Sequence, residues 1–235
     1  METGNVEISP IILALDTPDI EIAGNWIHAT NEVIKVYKVG LEFFLTHGSE
    51  GVSKLRERGD FDLFLDLKLH DIPNTVSSAT KAVSAINPRF LTVHASGGAD
   101  MVKAAVDAAP HIAITAVTIL TSLSEKSLTE IGFEGDALSS AVQLAKLAVS
   151  AGARAIVTSP LEVAAIRAAI GSEVTIITPG VRPAGSDLGD QTRVMTPKQA
   201  IAAGSSHLVI GRPITSLGSA EEMLDKAREI TDSIA

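Results

Sequence analysis

Cysteine is absent from the 235 residues. A disulfide framework, a thiolate nucleophile and a cysteine-ligated metal are therefore closed to this chain, although the absence alone does not define its redox compartment. Aromatic side chains are nearly as scarce, at 3%, and the formal net charge is −9. So acidic a chain with so little stacking surface lacks the footprint of a protein that binds polymeric nucleic acid. Local lysines, arginines and backbone N–H groups can still hold a small phosphorylated ligand. The sequence has no apolar run of about 18 residues and no charged segment leading an apolar one near Met1. Neither a membrane span nor a secretory signal is expected, and the cytoplasm is the expected compartment. A glycine-rich dinucleotide fingerprint is missing too, since Leu15-Asp-Thr-Pro18 stands where it would follow the first apolar run.

What is present is 46% hydrophobic residues, distributed in short runs. Stretches 10–16, 34–40, 63–67, 90–94, 111–118, 155–158, 174–177 and 207–210 read as buried strands. Helical patterns 20–33, 41–58, 76–86, 99–108, 137–151, 161–169, 197–203 and 220–234 alternate with them. Strands rich in Val, Ile and Leu without strict polar alternation belong to parallel sheets covered on their faces. Eight βα units predict an α/β fold, a (β/α)8 TIM barrel forming a single domain over 10–235 after a flexible stretch 1–9. An open doubly wound sheet is the structural alternative. Trp26 is expected in the core, on a helix facing the barrel.

Barrels of this kind carry their chemistry at the carboxyl ends of the strands. The polar residues expected there are Asp16, Lys38, Asp66, Lys68, His94, Thr118, Thr121, Ser122, Ser159, Arg182, Gly211 and Arg212. The densest cluster is Asp66-Leu-Lys-Leu-His-Asp71, where Asp66 and Lys68 alternate with leucines. A period of two points both charges to one side of a strand end, in a place where charges persist only when paired. The same spacing also fits a purely structural ion pair. Lys38, on an apolar strand, must snorkel or meet an acid, and Asp66 is its natural partner. Pro73 stops the strand, and Asn74 or Thr75 is expected to cap a helix starting at Val76. Gly211-Arg212 after the last strand suits a phosphate, and the Gly- and Asp-rich stretch 182–192 suits a lid. His28, His47, His70, His111 and His207 read as surface or packing residues without zinc-site spacing, and His94 as a hydrogen-bonded structural imidazole.

Several of these residues fall into longer motifs. Leu65-Asp-Leu-Lys-Leu-His-Asp-Ile-Pro-Asn-Thr75 occurs with Leu15-Asp16, Lys38-Val-Gly40, Leu120-Thr-Ser122, Thr178-Pro-Gly-Val-Arg-Pro183, Gly189-Asp-Gln-Thr-Arg-Val-Met-Thr-Pro197 and Gly211-Arg-Pro213. The set resembles the orotidine 5′-phosphate decarboxylase family of the bacterial type, in order from about residue 11 to residue 228. The resemblance implies cofactor-free loss of CO2 from orotidine 5′-phosphate to give UMP, with no metal. It implies a catalytic array of Lys38, Asp66, Lys68 and Asp71, and a homodimer in which Asp71, Ile72 and Thr75 reach the neighbouring site. Substrate contacts are implied for Asp16, Lys38 and the run Asp66, Leu67, Lys68, Leu69, His70, Asp71, Ile72, Pro73, Asn74 and Thr75. The same likeness adds Thr121, Ser122, Pro179, Arg182, Gln191, Gly211 and Arg212. Within that set Asp16 and Lys38 match ribose contacts, Thr121 and Ser122 the region reading the pyrimidine, and Arg182, Gln191, Gly211 and Arg212 the phosphate grip. A magnesium-dependent sugar-phosphate lyase on the same barrel is the nearest rival, and a silent nucleotide-binding protein a second.

Overall fold

A computed structural model describes residues 9–182 and 195–234. The expectation of a flexible stretch 1–9 falls almost wholly outside these, as do Gln191 and most of the expected lid. Among the described residues, β1 (Ile11–Ala14), β2 (Val36–Gly40), β3 (Asp62–Leu69), β4 (Phe90–His94), β5 (Ala113–Val117), β6 (Ala155–Val157), β7 (Thr175–Thr178) and β8 (His207–Ile210) pair in sequence order. Every pairing is parallel, and Ile11 opposite Leu208 closes the ring. The fold is a (β/α)8 barrel, as the alternation predicts.

The period of two divides the strand residues between two cores. Leu13, Val39, Leu65, Leu91, Ile114, Ile156, Ile176 and Leu208 pack outward under the helices. Ile12, Val36, Phe64, Phe90, Ala155 and Ile177 fill the interior, with Phe64 and Phe90 edge to face at 5.9 Å. The interior is thus a packed plug on which the upper mouth rests.

Around the sheet run α1 (Ile20–Thr30), α2 (Leu41–Arg56), α3 (Pro73–Ser84), α4 (Ala99–Ala108), α5 (Glu125–Glu130), α6 (Ala137–Ser150), α7 (Val163–Ile170), α8 (Pro197–Ala202), α9 (Arg212–Thr215) and α10 (Ala220–Asp232). Their starts follow local chemistry. The Asp19 carboxylate accepts from the N–H groups of Glu21 and Ile22 at 2.8 and 3.0 Å, while Thr196 with Gln199 and Ser219 with Glu222 form capping boxes.

Four expectations change. Helix α3 begins at Pro73, with Ile72 as its extended N-cap and no side-chain cap, so neither Asn74 nor Thr75 starts it. Proline suits this first position, where an N–H has no helical partner. Helix α2 is broken at Gly48, whose φ of 60° and ψ of −155° divide what the apolar pattern presents as one helix. Strand β3 runs on to Leu69. Trp26 is only half-buried: it packs against the helix-covered core while lining a groove with Ser219 and Met223.

A wide cavity of about 670 Å³ opens at the amino-terminal mouth, lined by Asp62, Arg89, Phe90, His111, Arg154 and Glu173 among others. Charges there are already engaged: Arg89 meets Asp62 at 2.7 Å and Arg154 donates to the Pro110 carbonyl at 3.0 Å. Phe90 closes the plug above it, 2% exposed. Phe90→Ala is expected to cost about 3–5 kcal/mol in denaturant unfolding, the range for deleting a buried aromatic side chain. A loss under about 1 kcal/mol would mean that the plug is not part of the cooperative core.

Candidate active site

Three neighbouring strands, β2, β3 and β4, assemble the charged side of the upper mouth. Leu65 faces Leu91 and Leu69 faces Val93, so β3 advances four residues while β4 advances two. The surplus forms a bulge, and within it Lys68 has φ +49°, a left-handed conformation unfavourable for a residue with a Cβ. Asp66 and Lys68 do share a face, as the alternation predicts, but the bulge aims Lys68. The Lys68 N–H is taken up at 2.8 Å by the hydroxyl of Thr92 on β4.

Asp66 is the centre of the charges. The Lys68 ammonium lies 2.8 Å from both of its carboxylate oxygens, and the Thr92 hydroxyl donates to Oδ1 at 3.0 Å. Lys38 lies 3.7 Å from Asp66 Oδ2 and closer, 2.9 Å, to Asp16 Oδ1. Asp16 is therefore the nearer partner of Lys38, and the side chains form an alternating row Asp16, Lys38, Asp66, Lys68. The Asp66 side chain is 12% exposed, against 11% for Lys38, 30% for Lys68 and 66% for Asp16. Burial alone would raise the Asp66 pKa, but the charges of Lys38 and Lys68 and the hydrogen bonds from Lys68 and Thr92 outweigh it. The net result is a carboxylate held below its usual range.

Above this row lies a cavity of about 170 Å³, lined by Lys38, Phe64, Asp66, Lys68, Val117, Ile119, Leu120, Thr121, Val157, Thr158, Pro179 and Val209. Of the residues singled out from sequence, Lys38, Asp66, Lys68, Thr121 and Pro179 reach this lining, with Asp16 joined to Lys38 at its edge. Gly211 is the N-cap of α9, and a Cβ added there would meet Ala14 Cβ at 3.5 Å and Asp16 Oδ2 at 3.9 Å. Arg212, exposed, is the first residue of that short helix, and Arg182 donates from Nη1 to the Val181 carbonyl at 2.9 Å. Leu67 and Leu69 do not line the cavity; they pack against the helix-covered core. His70, Asp71, Ile72, Pro73, Asn74, Thr75 and Ser122 are exposed on this chain. Asp71 accepts the N–H of Ile72 at 2.7 Å.

The His94 ring makes no hydrogen bond among the described residues, contrary to expectation, and instead lies 5.4 Å from the His70 ring. Burial, then the charges of His70 and Lys68, push its pKa down against the opposing charge of Asp66. Sequence reasoning passed over Thr92, although the alternation of Phe90, Thr92 and His94 puts it on the inner face. The apolar lining from β5, β6 and β8 was likewise read only as core.

A closed parallel barrel with an alternating row of acids and ammoniums around a buried Asp66 at its carboxyl mouth defines a (β/α)8 protein with a charged site where this fold carries its chemistry. The chain belongs to the orotidine 5′-phosphate decarboxylase / HUMPS family, whose model matches residues 9–227. It is 56% identical over 207 residues to an orotidine 5′-phosphate decarboxylase of Thermobifida fusca (strain YX), covering 88% of this chain and 89% of that protein. With the orotidine 5′-phosphate decarboxylase of Moorella thermoacetica (strain ATCC 39073 / JCM 9320) it shares 46% over 216 residues, covering 88% and 85%. The crystal structure of orotidine 5′-phosphate decarboxylase from Lactobacillus acidophilus superimposes with a TM-score of 0.82 at 34% identity, covering 95% of this chain and 99% of that one.

The depressed pKa of Asp66 sets a pH dependence. Because the folded value lies below the unfolded one, Asp66 stabilises the fold above the unfolded carboxylate pKa, about 4, and that contribution is lost as pH falls through the folded value. Thermal unfolding should place Asp66→Asn below wild type at neutral pH, with the gap narrowing in acid. Curves that stay parallel down to about pH 3 would contradict the coupling.

Proposed function

We propose that this chain catalyses the cofactor-independent decarboxylation of orotidine 5′-phosphate to UMP, the last step of de novo pyrimidine nucleotide synthesis, with Lys68 meeting the carbanion. Family membership and the names of its relatives make it a carboxy-lyase of the orotidine 5′-phosphate decarboxylase kind. The observation that carries the mechanism is the Lys68 ammonium held 2.8 Å from both oxygens of a buried Asp66 beside the cavity. When the bond from C6 to the carboxylate breaks, CO2 leaves and the electron pair stays on C6, in an orbital the ring delocalises poorly. The barrier reduction needed lies towards the upper end of the roughly 8–23 kcal/mol that enzymes supply. An ammonium fixed in place before the reaction stabilises that charge without reorganising, then gives its proton to C6 and recovers one from solvent.

The remaining assignments extend this reading. Asp16 and Lys38 hold ribose hydroxyls, Thr121 and Ser122 face the pyrimidine, and Arg182, Gln191, Gly211 and Arg212 grip the phosphate. Remote phosphate binding is then expressed at the transition state through closure over the ligand. Asp71, Ile72 and Thr75 act in the site of a second copy, in a cytoplasmic homodimer of single-barrel subunits. In support, Ile72 is an apolar residue 66% exposed, and Leu41 and Leu45, on the first turns of α2, are 46% and 79% exposed. A magnesium-dependent sugar-phosphate lyase is disfavoured by Lys38, whose ammonium lies between Asp16 and Asp66 where such an ion would sit.

Loss of orotidylate absorbance on adding enzyme, undiminished by EDTA, is the direct test; chelator-sensitive turnover would favour the rival. Lys68→Ala should still bind UMP but lose nearly all turnover, and a wild-type rate would remove Lys68 from its role. Ile72→Asp should convert a dimer to monomers in sedimentation and lower kcat/KM with it; an active monomer would refute the shared site.

A further inference from the structure

The geometry points to Thr92 as a positioning residue, whose hydroxyl locks the bulged backbone of Lys68 to the carboxylate of Asp66 and so fixes where the Lys68 ammonium stands. The inference rests on the decarboxylase reading given above. Thr92 is fully buried and is not among the residues lining the cavity, so it acts through its neighbours. A hydroxyl has one hydrogen to donate and lone pairs to accept with. The Lys68 N–H can only donate, and it does so to Thr92 Oγ1 at 2.8 Å. The hydroxyl hydrogen is therefore left for Asp66 Oδ1, at 3.0 Å. One oxygen ties the backbone of Lys68 to the same carboxylate that its side chain grips at 2.8 Å. The result is a closed loop through residues 66, 68 and 92.

Two features need such a lock. Lys68 sits at φ +49°, a conformation that persists in a non-glycine residue only when the surroundings over-determine it. The bulge has also taken this stretch out of the β3 to β4 register, and pairing with β2 ends at Asp66 opposite Gly40, so strand pairing does not set the position of Lys68. Thr92 is well suited to the task because its branched Cβ leaves the hydroxyl few rotamers.

The test compares Thr92→Val, which keeps the shape and removes the hydroxyl, with Thr92→Ser, which keeps the hydroxyl and removes a methyl. For Thr92→Val we expect kcat to fall roughly 10- to 100-fold, the scale of a displacement of about 1 Å at a reacting group, with KM and UMP affinity changed less than about threefold. Thr92→Ser should recover most of the lost kcat. Amide hydrogen exchange gives a readout independent of turnover: protection at the Lys68 N–H is expected to vanish in Thr92→Val and return in Thr92→Ser. An unchanged kcat in Thr92→Val, an equal loss in both variants, or retained Lys68 protection in Thr92→Val would overturn the inference. Absence of orotidylate turnover in wild type would instead overturn the functional reading, while the exchange experiment would still decide the lock.

Discussion

A carboxylate taken out of water must be matched by charge and hydrogen bonds where it stands, or it takes up a proton. Asp66 meets that requirement with one ammonium gripping both of its oxygens, a hydroxyl on Oδ1 and a second ammonium nearby. Each partner comes from a different place on three adjacent strands, so the match holds only while β2, β3 and β4 keep their relative positions. The packed interior below, with Phe64 and Phe90 in edge contact, keeps them there. The site's electrostatics and the barrel's packing are in this sense one constraint.

On the proposed function, the same match bears on reactivity. A lysine free in water would lose time and energy finding a geometry, whereas here the acid that satisfies Lys68 also holds it against the cavity wall. The apolar side chains opposite, Val117, Ile119, Val157 and Val209, keep the local dielectric low, which strengthens every charge placed among them. Buried ion pairs contribute little net stability, since desolvation offsets attraction. On the proposed function, the two ammoniums around one acid act on the bound anion more than on the stability of the fold.

Much of this was legible beforehand because the repeating unit is strong: short apolar runs separated by amphipathic ones close a parallel ring almost by themselves. Lys38, Asp66 and Lys68 could be placed because charges amid leucines and valines have few other reasons to be there. What escaped depends on tertiary register. Two extra residues between Leu65 and Leu69 are invisible in a pattern that reads Asp-Leu-Lys-Leu as ordinary alternation. The preference of Lys38 for Asp16 arises from the neighbouring β1 and could not be told from a preference for Asp66. Thr92 looked like one more β-branched strand residue, and its role exists only through the two side chains it meets. Gly48 divides α2 although the apolar spacing runs straight through it.

The bulge in β3 interrupts pairing on the β4 side only, since Asp66 still pairs with Gly40 of β2. Pairing with β4 stops at Leu65 and resumes at Leu69, so the circle is closed on either side of the detour. Asp66 thus belongs to both the ladder and the charged row, while Lys68 lies past the last β2 pair. Between those two β4 pairs the strand can aim a side chain that a regular ladder would hold in line, and the cylinder still closes.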